Sequence, residues 1–129
     1  MAQIKIYGIR DTLIPRRAQL SNIIHECVME ALEFPADKRA HRFFPMDKDD
    51  FLYPGGRSDD YIVIEIMMME GRTVAARKQL IRLLNDNIHR DLGISLQDIE
   101  IVITESPACN WSFRGIHGDE ASLSYRVDI

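Results

Sequence analysis

Shifted against itself by 60 residues, the chain overlays without a gap, Ile14–Phe44 falling on Val74–Thr104. Arg17 meets Arg77, Gln19 meets Gln79, Leu20 meets Leu80 and Leu32 meets Leu92. Apolar residues also coincide at Ile14/Val74, Ile24/Leu84, Val28/Ile88, Phe34/Ile94 and Phe43/Ile103. Four identities in 31 positions carry little weight alone, but the shared apolar spacing carries more. It implies two copies of one strand–helix–strand unit, since such a unit cannot bury its apolar face by itself.

The elements follow from periodicity. Ile4, Ile6 and Tyr7 alternate with Gln3 and Lys5 as a first strand, and Gly8 to Thr12 reads as a turn. Pro15 suits the first turn of a helix, where its missing N–H is not needed. Leu20, Ile23, Ile24, Cys27, Val28, Ala31 and Leu32 then form one apolar stripe on a helix that Pro35 closes. Arg39 to Phe44 is a short second strand. After an irregular segment, Pro45 to Asp60, the residues Tyr61–Met69 form a strand apolar on both faces. Gly71 ends it, and Thr73 caps a helix whose stripe is Ala76, Leu80, Ile81, Leu84, Ile88 and Leu92, with Gly93 as the C-cap. Ile99, Ile101 and Ile103 alternate in the last core strand. The expectation is an α+β fold: duplicated β-α-β units, right-handed crossovers, and one four-stranded mixed sheet with two helices on one face. It is read as a single domain over residues 1–129, with repeat halves of about 1–45 and 60–105. A C-terminal extension, 106–129, is expected to hold a short strand at Ser122–Val127. Two helices cover only one side of such a sheet, so the second apolar side of Tyr61–Met69 predicts a subunit contact.

Composition excludes more than it assigns. A net charge of −4 gives no electrostatic footprint for nucleic acid or an anionic membrane. No apolar run approaches a membrane span, and the first residues lack the pattern of a signal peptide. Cys27 sits on the first helical stripe and reads as a buried thiol, which with the lone Cys109 points to the cytoplasm. Phosphate-loop, dinucleotide and zinc-protease motifs are absent. His25 and His89 lie off the stripes and read as surface or boundary residues, whereas His41, near Arg39 and Arg42, is a candidate. No metal or cofactor is expected.

Two features suggest a ligand. Arg72 follows Gly71 at a strand end, where a guanidinium can clamp a carboxylate and where a cation opposes the dipole of the following helix. An exposed helix-start arginine is the alternative. Trp111-Ser112-Phe113-Arg114 puts two rings on one side of an extended segment with a cation beside them, which suits a small anionic molecule. An aromatic cap on the core is the alternative there.

The duplicated unit, Gly71-Arg72, Leu92-Gly93-Ile94-Ser95 and Asn110-Trp111-Ser112-Phe113 together resemble the tautomerase superfamily, and most of all its malonate semialdehyde decarboxylase branch. The resemblance runs nearly the whole chain. It implies a homotrimer, an amino-terminal proline exposed by Met removal as acid or base, arginines for a substrate carboxylate, and aromatic pocket walls. Here the proline position holds Ala2. The position of the decarboxylases' water-activating Asp holds Lys38, with Asp37 adjacent. Of two arginine positions, one holds Glu70 and the other Arg72. The aromatic pair is Trp111 and Phe113. The implied function is proton transfer or decarboxylation on a small oxo or enol carboxylic acid, with the Ala2 amine as catalyst. Arg72, Arg114, Trp111 and Phe113 would bind the substrate, and Asp37, Lys38 and His41 are further candidates. The alternative is a trimer without turnover that binds a small metabolite or a protein.

Overall fold

The computed structural model describes residues 2–129. Four strands form one mixed sheet in the order β2-β1-β3-β4: β1 (Ala2–Ile9), β2 (His41–Met46), β3 (Ile62–Met69) and β4 (Ile99–Ser106). β1 runs parallel to β2 and antiparallel to β3, and β3 runs parallel to β4. The crossovers are α2 (Arg17–Leu32), preceded by the single turn α1 (Arg10–Leu13), and α3 (Val74–Leu92). Both main helices pack on one face, where Ile4, Ile6, Ile64, Ile66 and Met68 meet Leu20, Ile24, Leu80, Leu84 and Ile88 in one core. Burying these side chains against each other is the main favourable term holding sheet to helices.

The repeat extends further than the matched segment. β1 and β3 are themselves 60 residues apart, and in their antiparallel register Lys5 lies opposite Glu65, its own repeat mate. A pseudo-two-fold axis therefore passes between these two residues. On the helical layer the Asn87 side-chain amide donates to Cys27 Sγ at 3.2 Å, again between repeat mates. Short 3-10 turns at Lys48–Asp50 and Ala108–Asn110 keep the same offset.

Several boundaries differ from the sequence expectation. Arg10–Leu13 is helical rather than a turn, and the 3-10 turn Ile14–Arg16 separates it from α2. Pro15 lies within that 3-10 turn and has no N–H for a helical ladder, so it breaks one helix into two pieces. His25 is buried, because the segment after α2 folds over it and the Ala36 carbonyl lies 2.8 Å from its Nε2. Ser122–Val127 is not a strand. The extension instead makes a hairpin of β5 (Ser112–Phe113) and β6 (Ile116–His117), after which the tail runs to the turn that follows β3, where Thr73 N donates to Ile129 O at 3.1 Å. Thr73 and Gly93 cap α3 as expected: the Thr73 hydroxyl accepts from Ala76 N, and Gly93 takes a left-handed conformation.

The face of the sheet away from the helices carries Tyr7, Val63, Met67 and Val102 among Gln3, Lys5 and Glu65. Met67 is 45% and Val102 47% exposed. The acidic segment 45–60, which carries Asp47, Asp49, Asp50, Asp59 and Asp60, closes one end of this face. Phe51 and Tyr61 pack with Ile9, Tyr53 bonds Asp59 at 2.6 Å, and Arg16 pairs with Asp60 at 2.9 Å. Among the described residues no helix is long and apolar enough to cross a membrane.

Candidate active site

Strand direction gathers the candidate residues. β1 and β2 begin, and β3 and β4 finish, at the same end of the sheet. Ala2 stands opposite Met68, four residues before Arg72. The segment Asp37–Ala40 leads into β2 there, with Ile4 N donating to Ala40 O at 2.9 Å. The hairpin with Trp111 and Phe113 leaves β4 from that end too. The acidic segment 45–60 lies at the opposite end.

Two clefts open at the shared end and have Lys38 in common. One is lined by Ala2, Asp37, Lys38, Arg39 and Ala40. The other is lined by Lys38, Phe113, Arg114 and the tail residues Ser122–Tyr125. Ala2 is buried and belongs to the main core, so an amine at its nitrogen would stand at an apolar floor beside cationic side chains. Whether Met1 is removed falls outside the described residues. Trp111 and Phe113 do turn their rings to one side: their centroids are 5.7 Å apart and nearly parallel, at 24°. The Trp111 indole nitrogen is buried without a hydrogen-bond partner among the described residues. Arg114 holds the left-handed turn of the hairpin with φ 52°, and its side chain is exposed on the rim of the second cleft.

Arg72 is not an exposed helix-start residue. It is only 4% exposed. One guanidinium nitrogen donates to Met69 O at 3.1 Å, and Cζ lies 5.5 Å over the Phe34 ring. Its Nε and Nη2 are buried with no partner among the described residues. The nearby Glu105 carboxylate is engaged by Arg77 at 3.3 Å. Burial pulls the Arg72 pKa below its ordinary value, while Tyr125 and Glu105 push the other way. A buried guanidinium without an anion is a costly arrangement, because desolvation is not repaid by a close counter-charge.

His41 stands beside these clefts rather than in them. Its Nδ1 lies 2.8 Å from Ser21 Oγ, and its ring meets His25 edge-on at 6.2 Å. Burial, then the charges of Arg39 and His25, push its pKa down to about 4, so the ring is neutral at neutral pH. Two aromatic residues not singled out from the sequence join this end. Phe34 lies under Arg72, and Tyr125 packs on Phe34 with ring centroids 4.7 Å apart. The alternation Leu123, Tyr125, Val127, Ile129 in the tail was the available signal, since these residues turn inward while their neighbours are exposed. Among the described residues no group of three His, Cys, Asp or Glu is placed to hold a metal ion.

Comparison with known proteins bears on the family and the fold. Residues 38–114 match the model of a family described as tautomerase enzymes. A probable tautomerase of Bacillus subtilis (strain 168), YusQ, is 28% identical over 100 residues, spanning 74% of this chain and 79% of YusQ. Among solved structures, FG41 malonate semialdehyde decarboxylase inhibited by 3-bromopropiolate superposes with a TM-score of 0.77 at 24% identity, covering 86% of this chain and 88% of that one. The R7 fused 4-OT wild-type asymmetric trimer superposes with a TM-score of 0.80 at 20% identity, covering 91% and 96%. At these identities the solved structures speak to the fold.

Proposed function

This chain belongs to the tautomerase enzyme family, and on that premise we propose that it binds a small oxo or enol carboxylic acid at the Ala2 end of its sheet. The observation that carries this reading is the buried Arg72 with two unpartnered nitrogens. Nε and one terminal nitrogen form the edge of the guanidinium fork that matches a carboxylate bidentately. In this reading Arg72 holds the carboxylate, Arg114 and Lys38 supply further positive charge at the rim, and Trp111 and Phe113 form the apolar wall. Asp37 borders the amine cleft as a second polar group, and His41 supports the segment behind it.

The reaction best supported is proton transfer, with decarboxylation of a 3-oxo acid as the related possibility. An unperturbed α-amine has a pKa near 7.7–8.0. An apolar floor and neighbouring cations both disfavour its charged form, so a free Ala2 amine would titrate lower and act as acid or base near neutral pH. Unlike a proline nitrogen, it is not fixed by a ring, so alignment with the substrate is poorer. A second reading follows from that same alanine: a family member that binds the acid without turning it over.

We further infer a homotrimer, as in the fused 4-OT structures. The support in this chain is the apolar content of the uncovered sheet face, Tyr7, Val63, Met67 and Val102. The deciding experiment pairs an intact-mass spectrum with a ketonisation assay on phenylenolpyruvate. A chain beginning at Ala2, with a rate lost in Arg72→Ala, is the expected result. Retained Met1, or a rate indifferent to Arg72→Ala, rejects the mechanism. Binding of the acid that needs Arg72 but brings no turnover selects the second reading.

A further inference from the structure

We propose that residues 122–129 are a displaceable strap over Arg72, and that the strap must lift before an acid reaches the guanidinium. The proposal rests on the reading of Arg72 as the carboxylate holder and adds control of access to it. The need for such a step is geometric. Arg72 is 4% exposed and lines neither of the two clefts at its end of the sheet. At that exposure the fork offers an acid no approach while the tail stays in place.

The strap touches the chain on both sides of Arg72. Gly71, just before it, has φ 140°, and a Cβ there would collide with the Val127 carbonyl. Thr73, just after it, donates its N–H to Ile129 O at 3.1 Å. The Phe34 ring has Arg72 Cζ 5.5 Å from its centre and the Tyr125 ring centre at 4.7 Å. Arg72 also opposes the rise that burial imposes on the Tyr125 pKa, as a nearby cation does.

Three observations make this segment a strap rather than a fixed wall. No residue from 119 to 129 is buried as a whole, whereas Phe34 and Met69 are. Among the described residues, one backbone hydrogen bond ties residues 122–129 to the rest of the chain, Thr73 to Ile129. In the closed arrangement Arg72 Nε, Arg72 Nη2 and the Tyr125 hydroxyl are buried with no partner among the described residues. Few buried apolar contacts and few hydrogen bonds place a segment at the low end of local stability. Donors left unmade raise the energy of the closed form further.

The preceding hairpin is held more firmly. Gly118 N donates to Trp111 O at 2.7 Å, and a Cβ at Gly118 would collide with the Ala108 carbonyl. The strap can therefore swing from a fixed base. Its residues Ser122–Tyr125 also wall the cleft shared with Lys38, Phe113 and Arg114, so lifting it extends that cleft toward Phe34. An acid then binds the open form alone, and its apparent affinity falls with the closed fraction.

Arginine modification by phenylglyoxal on the full chain, with adducts located by peptide mass spectrometry, tests the strap without any acid. In wild type, Arg72 should react at least about tenfold more slowly than the exposed Arg82. Tyr125→Ala takes the ring off Phe34 and should speed Arg72 about tenfold while leaving Arg82 unchanged. Arg72 as reactive as Arg82 in wild type, or unmoved by Tyr125→Ala, overturns the proposal. Hydrogen exchange on wild type gives a second measurement that needs no variant. The Thr73 amide should exchange well before those of Leu84 and Ile88 in α3. Equal, slow exchange overturns the strap, because the segment would then open only with the whole fold. Pyruvate added to Tyr125→Ala should shield Arg72 and not Arg82. Absence of shielding rejects the underlying reading of Arg72, while the strap result stands.

Discussion

Arg72 joins a chemical role to a structural penalty in one side chain. Its charge is buried against Phe34 and one carbonyl, with no carboxylate paired to it among the described residues. The desolvation of a buried charge without a counter-charge is not repaid, so an apolar side chain of similar reach should be tolerated in its place. Arg72→Met is therefore expected to melt no lower than wild type while losing carboxylate binding. A clear drop in its unfolding temperature would mean that the guanidinium serves the fold. His41 gives a second test by pH. Its folded pKa of about 4 lies below the ordinary 6.5. Between those values the unfolded chain binds a proton that the folded chain refuses, so stability is full above pH 6.5 and falls as pH drops toward 4. The loss should be about 1–2 kcal/mol, because solvent reaches the partly open ring and screens the effect. Urea unfolding across that pH range should show this slope, and His41→Gln should flatten it. The sequence marked Arg72 by its place after Gly71, but its burial depends on a tail more than fifty residues downstream. No local pattern carries that information.

At the scale of elements, the turn from β3 into α3 is the joint on which the site depends. Thr73 caps α3 with its hydroxyl and receives the tail at its N–H. Thr73→Ala should lose about 1 kcal/mol of stability in chemical denaturation, the usual contribution of an N-cap. Gly71→Ala combines a strained φ with a clash at Val127, so it should loosen the tail, read as faster proteolysis between Ser122 and Ile129. Caps and apolar stripes were legible because each is set by a few neighbouring residues: Thr73, Gly93, and the Leu80–Leu84–Ile88 row. The break at Pro15 was less so, since a proline that opens a helix and one that divides two short pieces look alike in sequence. The stacked rings of Trp111 and Phe113 followed from simple strand alternation. Tyr125 did not, because the inward turn of the tail depends on its contacts with Phe34 and with the Gly71–Thr73 turn, both distant in sequence.

For the whole molecule, the sheet face without helices makes the sharpest prediction. Tyr7 stacks on Phe44 at 4.8 Å, and Met67 and Val102 stand open nearby. Light scattering should report a trimer, and Val102→Lys should shift it toward smaller species while leaving the helical signal intact. A monomeric wild type would overturn the assembly. The 60-residue repeat had already implied the mixed sheet, and the strand Tyr61–Met69, apolar on both sides, implied this uncovered face, which is why the architecture was readable early. It also has a consequence for stoichiometry. The pseudo-two-fold axis between Lys5 and Glu65 makes each end of the sheet the image of the other. Ile62 stands where Ala2 does, Thr12 where Arg72 does, Asp98 where Lys38 does, and Phe51 and Tyr53 where Trp111 and Phe113 do. At that second end Phe51 and Tyr61 pack with Ile9, Asp98 accepts from Ser58 N and Oγ at 2.8 and 2.7 Å, and Thr12 donates to Asp59 O at 2.8 Å. The cleft at that second end has Thr12 in the place of Arg72 and is lined by Asp11, Asp47 and Asp59 as well as Arg10 and Lys48, so each chain should take up one acid where its symmetry has room for two.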